Sequence, residues 1–562
     1  MKTAKKILVA CILICLTAGF AAAQTQRFVQ YDDPVYTLLD RAHAHGWLNY
    51  LPQMRPYTET QVYEYLKEIR AHHVQNPGRM SEEVLEKIGE FMKRYRGEKF
   101  HLLNADEVMG GSGWIDFGSH FTTNGAFNRL SDTTVRASVD LRGGYGIGDT
   151  FFLGFGYNWN FALIPWEIPP YRKFFEPHRY DYVFDTFHLG EGDMSSGRSA
   201  IHEPGDIDFS IAGNSESQAS IGTRFASFHF GHDVLDWGPS DFANLTLSKT
   251  AKPYDFVRLD VPLGKRGHFS WMTGFLQYSI DSRTQDYGKK LVSAHRGEYQ
   301  LFKWMILAWS ETVVYSNRFE LGYINPFGLY YLSEMRLGDY DNKLAGWDVI
   351  FRVPPVQFYF SFLADDWDFA KIYSPTYYNN MYGIIGGVEV WDLIPKLKLN
   401  LEYTYLSHWM YTHRSDLAEA DSYNNYEHFG SNLGHVLQPN SHMVYFEAQY
   451  EILPRFFAGT SFWFTQDARG DIDNYADWSE EMELYGVDST DDLYYRFLDL
   501  GISDVPIETN IDWTVWGEYY IPRFGMKFRD SYSLEYTKNI DKVAGNNRWD
   551  HLFSLEAYIQ KY

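Results

Sequence analysis

Downstream of about Gly110 the chain alternates apolar and polar residues with a period of two, as a strand with two unlike faces requires. Over 151–161, Phe151, Leu153, Phe155, Tyr157, Trp159 and Phe161 share one face, while Gly154, Gly156, Asn158 and Asn160 take most of the other. Leu397, Leu399, Leu401, Tyr403 and Tyr405 oppose Lys396, Lys398, Asn400, Glu402 and Thr404. Phe358, Phe360 and Phe362 oppose Gln357, Tyr359 and Ser361, and Val444, Phe446, Ala448 and Tyr450 oppose Tyr445, Glu447 and Gln449. From Asp33 to Tyr95 the period is helical instead. Asp33 and Pro34 open a first helix that Gly46 ends, Thr58 and Gln61 form a capping box ahead of Val62, Tyr65, Leu66 and Ile69, and Ser81 opens a third helix.

Strands of this kind suit either a soluble sandwich, whose apolar faces meet, or a transmembrane barrel, whose apolar face meets lipid. Strand length and aromatic ends favour the barrel. Proline turns at Pro262, Pro354-Pro355, Pro395, Pro454 and Pro522 alternate with long polar stretches such as 412–441 and 466–510, the hairpin rhythm of outer-membrane barrels. With one further turn lacking proline between Pro262 and Pro354, the hairpins average roughly 52 residues and the chain holds about 18 antiparallel strands. The expected organisation is an all-β transmembrane barrel over 110–562 and a small helical bundle over 24–109, preceded by a signal peptide over 1–23.

That leader rests on Lys2, Lys5 and Lys6, the apolar run from Ile7 to Phe20, and Ala21-Ala22-Ala23 before Gln24. Cleavage there removes Cys11 and Cys15, so the mature chain is neither a disulfide scaffold nor a thiolate metal protein. Across 562 residues, 45% hydrophobic and 18% aromatic content excludes disorder, yet no apolar run beyond the leader approaches the ~20 residues of a spanning helix. The net charge of −23, or −26 without the three leader lysines, argues against nucleic acid as a partner. Aligned on strands, Arg142, Arg224, Arg258, Arg318 and Arg352 would each cost ~2–4 kcal/mol facing lipid at the midplane, so they are expected in the lumen, paired with Glu320 and Asp348 and joined by Asn325. A lumen crossed by such pairs is plugged. The C-terminal row Phe553, Leu555, Ala557, Ile559 reads as a last strand, with Tyr562 on its opposite face.

The most distinctive segment runs from Phe225 to Arg258 and contains Trp237-Gly238-Pro239, Asn244-Leu-Thr-Leu-Ser248 and Pro253-Tyr254 ahead of Arg258. With Asn317–Gly328, His435–Ser441 and Arg55–Thr58, it resembles the capsule assembly Wzi family over most of the chain. The resemblance implies an outer-membrane barrel with a periplasmic bundle; no catalytic residues, metal or cofactor are expected. It implies binding of exported or capsular polysaccharide and help in assembling or retaining it at the cell surface, and a monomer is expected. Export machinery would meet it through the bundle, and membrane lipid would surround its barrel. A general diffusion porin and a secreted glycan-active β-sandwich enzyme are the competing classes.

Asp233, Asp236, Trp237, Ser240, Asp241 and Arg258 could bind a sugar, an indole face stacking on the ring and carboxylates taking paired hydroxyls; equally, they could simply build a sharp strand-to-loop turn. Asp365-Asp366-Trp367-Asp368 reads as a solvated loop, or else an oxygen-ligand or glycosidase-like pair. The acid-rich stretch from Asp467 to Glu508 reads as a soluble outer loop, or else a cation-binding one. His43/His45 and His72/His73 lack a third metal ligand and are expected on the bundle surface.

Overall fold

The computed structural model describes residues 26–95, 103–108, 111–126, 129–165, 182–188, 207–277, 290–316, 318–338, 341–365, 367, 380–407, 410–413, 424–468, 506–521 and 526–560. The leader, Asp366, Asp368, the Pro522 turn, most of the acidic stretch and Tyr562 lie outside them.

Eighteen antiparallel strands close into one barrel. In chain order they are β1 (Gly111–Ala126), β2 (Arg129–Ile147), β3 (Phe151–Pro165), β4 (Ile207–Gly222), β5 (Ser227–Asp233), β6 (Tyr254–Pro262), β7 (Gly267–Leu276), β8 (Lys290–Phe302) and β9 (Met305–Ser316). There follow β10 (Asn342–Val353), β11 (Val356–Ala364), β12 (Tyr382–Trp391), β13 (Leu397–Leu406), β14 (Ser441–Leu453), β15 (Phe456–Asp467), β16 (Glu508–Ile521), β17 (Met526–Lys538) and β18 (Arg548–Gln560). Each pairs with its sequence neighbour, and β18 returns to β1 through Leu552↔Ala126 to Gln560↔Gly118, leaving no open edge in the ring.

The faces are inverted relative to a soluble protein. On β13, Leu401 is 47% exposed and points outward, while its neighbours Asn400, Glu402 and Thr404 are buried in the lumen. On β11, Phe358 and Phe360 point out and Gln357, Tyr359 and Ser361 point in. Water would not leave such aromatic rows bare and bury the polar ones; hydrocarbon does. No second sheet faces the apolar rows among the described residues, so the sandwich alternative is set aside.

Short turns gather at one rim. Gly264, Lys396 and Arg455 supply the left-handed φ their turns need, at +70°, +74° and +72°. The turn lacking proline is Lys303-Trp304, between β8 and β9. The bundle packs beneath this rim, as α1 (Val35–Ala44), α2 (Glu59–Gln75) and α3 (Glu82–Tyr95). Thr58 and Gln61 form the expected capping box, and Val35, Leu39, Ala42, Val62, Leu66, Ile69 and Ile88 build a separate small core. Helix α1 starts one residue later than read, with Pro34 at the N-cap and the Asp33 carboxylate accepting from Val35 N at 3.0 Å.

Candidate functional site

The lumen holds protein where a channel would hold water. Its filling begins with the loop between β5 and β6, residues 234–253, which turns into the barrel. Asp236-Trp237 pairs as a two-residue strand with Met54-Arg55, and Trp237 N donates to Leu247 O at 2.9 Å. Gly238 sits at φ +146°, where any Cβ would collide with Asn244 Oδ1. That turn is closed by Ser240 Oγ, which accepts from Phe242 N and Ala243 N at 3.1 Å each, and by Asn244 Nδ2, which donates to Asp236 Oδ1 at 2.8 Å. The loop between β13 and β14 then covers it. Tyr411 Oη donates to Leu245 O at 2.8 Å, Tyr426 Oη to Thr246 O at 2.5 Å, and Ser248 N to Leu433 O at 2.8 Å. Trp237, Leu245, Leu247, Tyr411, Tyr426 and Leu433 share one buried core with inward residues of the wall such as Met272, Val292 and Leu344.

Charge fixes this plug to its surroundings. Lys398 of β13 pairs with Asp241, and Lys249 stands 3.9 Å from the same carboxylate. Arg258 of β6, 1% exposed, binds Asp260 at 2.9 Å and donates to Met54 O and Pro56 O at 3.2 and 3.3 Å. Arg296 of β8 pairs with Asp348 of β10 and with Glu298, whose Oε1 accepts from Tyr50 Oη at 2.6 Å and Gln53 N at 2.9 Å. Arg352 donates to His43 O and Leu48 O, both at 3.1 Å. At the rim, Asp392 accepts from Arg41 at 2.7 and 2.8 Å and contacts His45 Nε2 at 2.7 Å. Burial works against the Asp392 charge, but the hydrogen bonds from His45 and Arg41 overcome it and hold the carboxyl at about 2. The bundle is therefore the floor of the barrel, bolted to the wall by arginines of the strands.

The six sugar candidates thus fall together in and around the plug. Asp236, Trp237 and Ser240 build its turn, Asp241 ties it to Lys398, and Arg258 ties the wall to the N-terminal segment. Asp233 ends β5 at the long-loop rim, half-buried, with Oδ1 accepting from Val234 N at 2.8 Å. Of the expected lumen network, Asp348 pairs with Arg296, and Arg352 donates to backbone carbonyls of the bundle and the β8–β9 turn instead of to a carboxylate. Four placements are corrected. Arg224 is exposed on the short turn after β4, its guanidinium 4.5 Å from the Phe225 ring. Arg318 and Glu320, with Asn325, lie outside the barrel altogether, because the run they belong to is a loop and not a strand. Two histidine expectations also change: His43 is buried, and His45 serves the Asp392 contact. Asp365 is buried too, accepting from Tyr411 N at 2.6 Å. Sequence reasoning passed over Arg296, Asp260, Lys249 and the pairing of Lys398, although Lys398 already stood on the polar face of its strand.

The corrected loop, between β9 and β10, is a clasp on the outer wall. Register places Trp271, His295, Glu311 and Ala345 in one row, adjacent to the lumen-facing row of Met272, Ala294, Thr312 and Leu344. Polar His295 and Glu311 therefore point outward near mid-strand, and both are buried. What covers them is α4 (Leu321–Ile324) and α5 (Tyr330–Leu337). Glu311 accepts from Tyr330 N at 2.9 Å and Tyr331 N at 2.7 Å, capping α5 from the wall, and stands 3.2 Å from His295 Nε2. Tyr323 and Tyr330 pack on Leu291, Val313 and Tyr315. Arg318 pairs with Asp341 and Lys343 with Glu334 at the clasp's margins. Its far side presents Phe319, Leu321, Phe327 and Met335, with Phe327 76% exposed.

A closed ring with an apolar exterior, a charged interior and a loop folded into its lumen defines a barrel of the outer-membrane class. No protein-family model and no curated protein matches the sequence. Among solved structures, the chain is similar to Wzi of Escherichia coli, an outer membrane protein involved in group 1 capsule assembly and a carbohydrate-binding β-barrel. It matches Wzi over 95% of this chain and 99% of that one, at a TM-score of 0.55 and 12% identity. OpdK, an outer membrane protein of Pseudomonas aeruginosa, matches at 0.42 and 8% identity over 80% and 98% of the two chains. OccAB2 of Acinetobacter baumannii matches at 0.42 and 10% over 80% and 97%. What is shared with Wzi at this identity is the fold, over nearly the whole length of both chains.

Proposed function

We propose that this protein is a non-enzymatic outer-membrane barrel that binds exported or capsular polysaccharide and helps assemble or retain it at the cell surface. The observation that carries the reading is the filled lumen. Among the described residues, a hydrophobic core tied by buried ion pairs occupies the interior, so the long-loop rim is the surface offered to a ligand. The fold shared with a carbohydrate-binding barrel supports the choice of ligand. In this reading the leader ending near Ala23 is cleaved, the monomer inserts with its short-turn rim and bundle in the periplasm, and the bundle faces the export machinery. Asp233 contacts glycan at the rim, while Asp236, Trp237, Ser240, Asp241 and Arg258 hold the surface beneath it.

Two measurements test this. Purified protein in a planar bilayer should give no stable ohmic steps; regular steps would establish the diffusion-channel alternative instead. Cells lacking the protein should lose surface polysaccharide to the medium, and the purified protein should bind that polysaccharide. Unchanged retention together with absent binding would overturn the glycan assignment.

A further inference from the structure

Just below the clasp, the lipid-facing wall is indented. Gly297 of β8 points outward between Trp309 of β9 and Phe269 of β7 in the register, and a Cβ placed on it would have only Phe269 Cδ2, at 3.9 Å, nearby. The missing side chain opens a groove of about 420 Å³ lined by Leu263, Tyr299, Leu307, Trp309 and Trp347, a size in the range of small-ligand sites. Its walls are almost wholly apolar. The clasp closes its upper end, where Phe327 stacks on Phe269 with ring centres 5.6 Å apart.

The lower end opens at the short-turn rim, where two further features converge. Phe302, Trp304 and Phe351 stack there in series, at 5.1 and 6.0 Å, an aromatic belt of the kind that sits at headgroup level. Lys265 and Arg266 project from the turn between β6 and β7 and Lys303 from that between β8 and β9, all exposed, and no ion pair engages them among the described residues. Arg266 lies 5.7 Å from the centre of the Tyr299 ring in the groove wall and is anchored by donating to Leu301 O at 2.8 Å. The acids on this part of the wall, Asp260, Glu298 and Asp348, point into the lumen, where Arg258 and Arg296 engage them; Glu68 of the bundle accepts from Asn49 N.

We propose that this groove and rim form a binding site for one anionic glycerophospholipid of the leaflet on the short-turn side. An acyl chain lies over Gly297, and the phosphate meets Lys265, Arg266 and Lys303. Solvent has no reason to keep an apolar slot beneath three uncompensated cations, whereas an amphiphile with a negative head satisfies both ends. The site anchors the wall segment that carries the clasp and fixes barrel depth in the membrane.

Native mass spectrometry of the full-length protein tests it, after delipidation and addition of phosphatidylglycerol or phosphatidylcholine of equal chain length. The wild type should retain one phosphatidylglycerol at least tenfold more tightly than phosphatidylcholine. Lys265→Gln/Lys303→Gln should remove that preference while leaving chain binding. Gly297→Leu, which fills open space and so preserves heat-modifiable mobility, should weaken both lipids about tenfold; Gly297→Ala provides a milder check. Equal affinity of the wild type for the two lipids, or a Gly297→Leu protein that binds like wild type, would overturn the site. Neither result touches the glycan reading, which is measured at the opposite rim.

Discussion

The pairing of Lys398 with Asp241 offers the sharpest test of how the plug is held. In Lys398→Met the wall loses its cation, and Asp241 stays in the lumen with Lys249 3.9 Å away as its remaining counter-charge. Removing one member of a buried pair costs about 3–5 kcal/mol. The lower end applies here, because the Asp241 side chain is 27% exposed and Lys249 compensates in part. About 3 kcal/mol corresponds to a change of roughly 150-fold in the population of released plug. Hydrogen exchange read by mass spectrometry on peptides covering 234–253 reports that population, since Gly238 N donates to Gln53 O and Ser248 N to Leu433 O only while the plug is seated. Protection there should fall by about two orders of magnitude, while strands β1 to β3 remain protected as before. Adding Asp241→Asn should restore most of the loss, because the penalty comes from an uncompensated carboxylate. If protection in the single variant stays within threefold of wild type, or if the double variant is worse than the single, the ion pair does not seat the plug.

Two further outcomes follow from the interfaces. The Asp392 carboxyl sits at about 2, below its ordinary 3.8. Its contribution to bundle docking is thus complete above about pH 4 and is lost as pH falls through 2; the contribution is at most ~2 kcal/mol, discounted for partial exposure. The distance between spin labels on bundle and rim should stay unchanged at pH 5 and lengthen only below 4, and Asp392→Asn should remove this acid transition; a midpoint above 5 would contradict the assignment. On the clasp, Glu311→Ala strips the acceptor from two backbone N–H groups inside the membrane, for about 2–4 kcal/mol. Limited proteolysis within 318–338 should then become rapid in detergent, with Glu311→Gln intermediate. Equal resistance in all three proteins would mean that the helices hold without the carboxylate.

How much of this was legible in the sequence depends on the range of the interaction. Thr58 and Gln61 interact three residues apart, and a period of two is local to a strand, so the capping box, the inward face of β13 and the barrel itself could be read directly. Arg258 and Arg352 were assigned to the lumen by the cost of charge in lipid, and that cost acts wherever a strand crosses the membrane. Applied to Arg224 and Arg318, the same reasoning failed because those residues lie past the strand ends, where lipid no longer constrains them. The Trp237 block read equally well as a sugar site or a turn, since both call for an aromatic ring, a left-handed glycine and acids. What separates them is the contact of Asp241 with Lys398, 157 residues away, which no local pattern encodes.

The clasp shows that a violation of the barrel pattern can be more informative than conformity to it. His295 and Glu311 oppose each other on neighbouring strands at outward positions, where hydrocarbon would impose a desolvation cost on both. In a barrel such residues persist only if something polar covers them, so their parity alone requires a lid. The nearest stretch without strand periodicity is Asn317–Gly328, already set apart as one of the blocks resembling the Wzi family. Just past it, the backbone N–H groups of Tyr330 and Tyr331 donate to Glu311, and Phe319, Leu321 and Phe327 are exposed, continuing the lipid band. An outward acid on a spanning strand, followed within about twenty residues by an aromatic-rich aperiodic segment, should therefore identify clasps in other barrels. The reasoning fails if Glu311→Leu, which removes the charge but keeps the volume, leaves the clasp seated as firmly as wild type, because lipid-facing parity would then tolerate either residue.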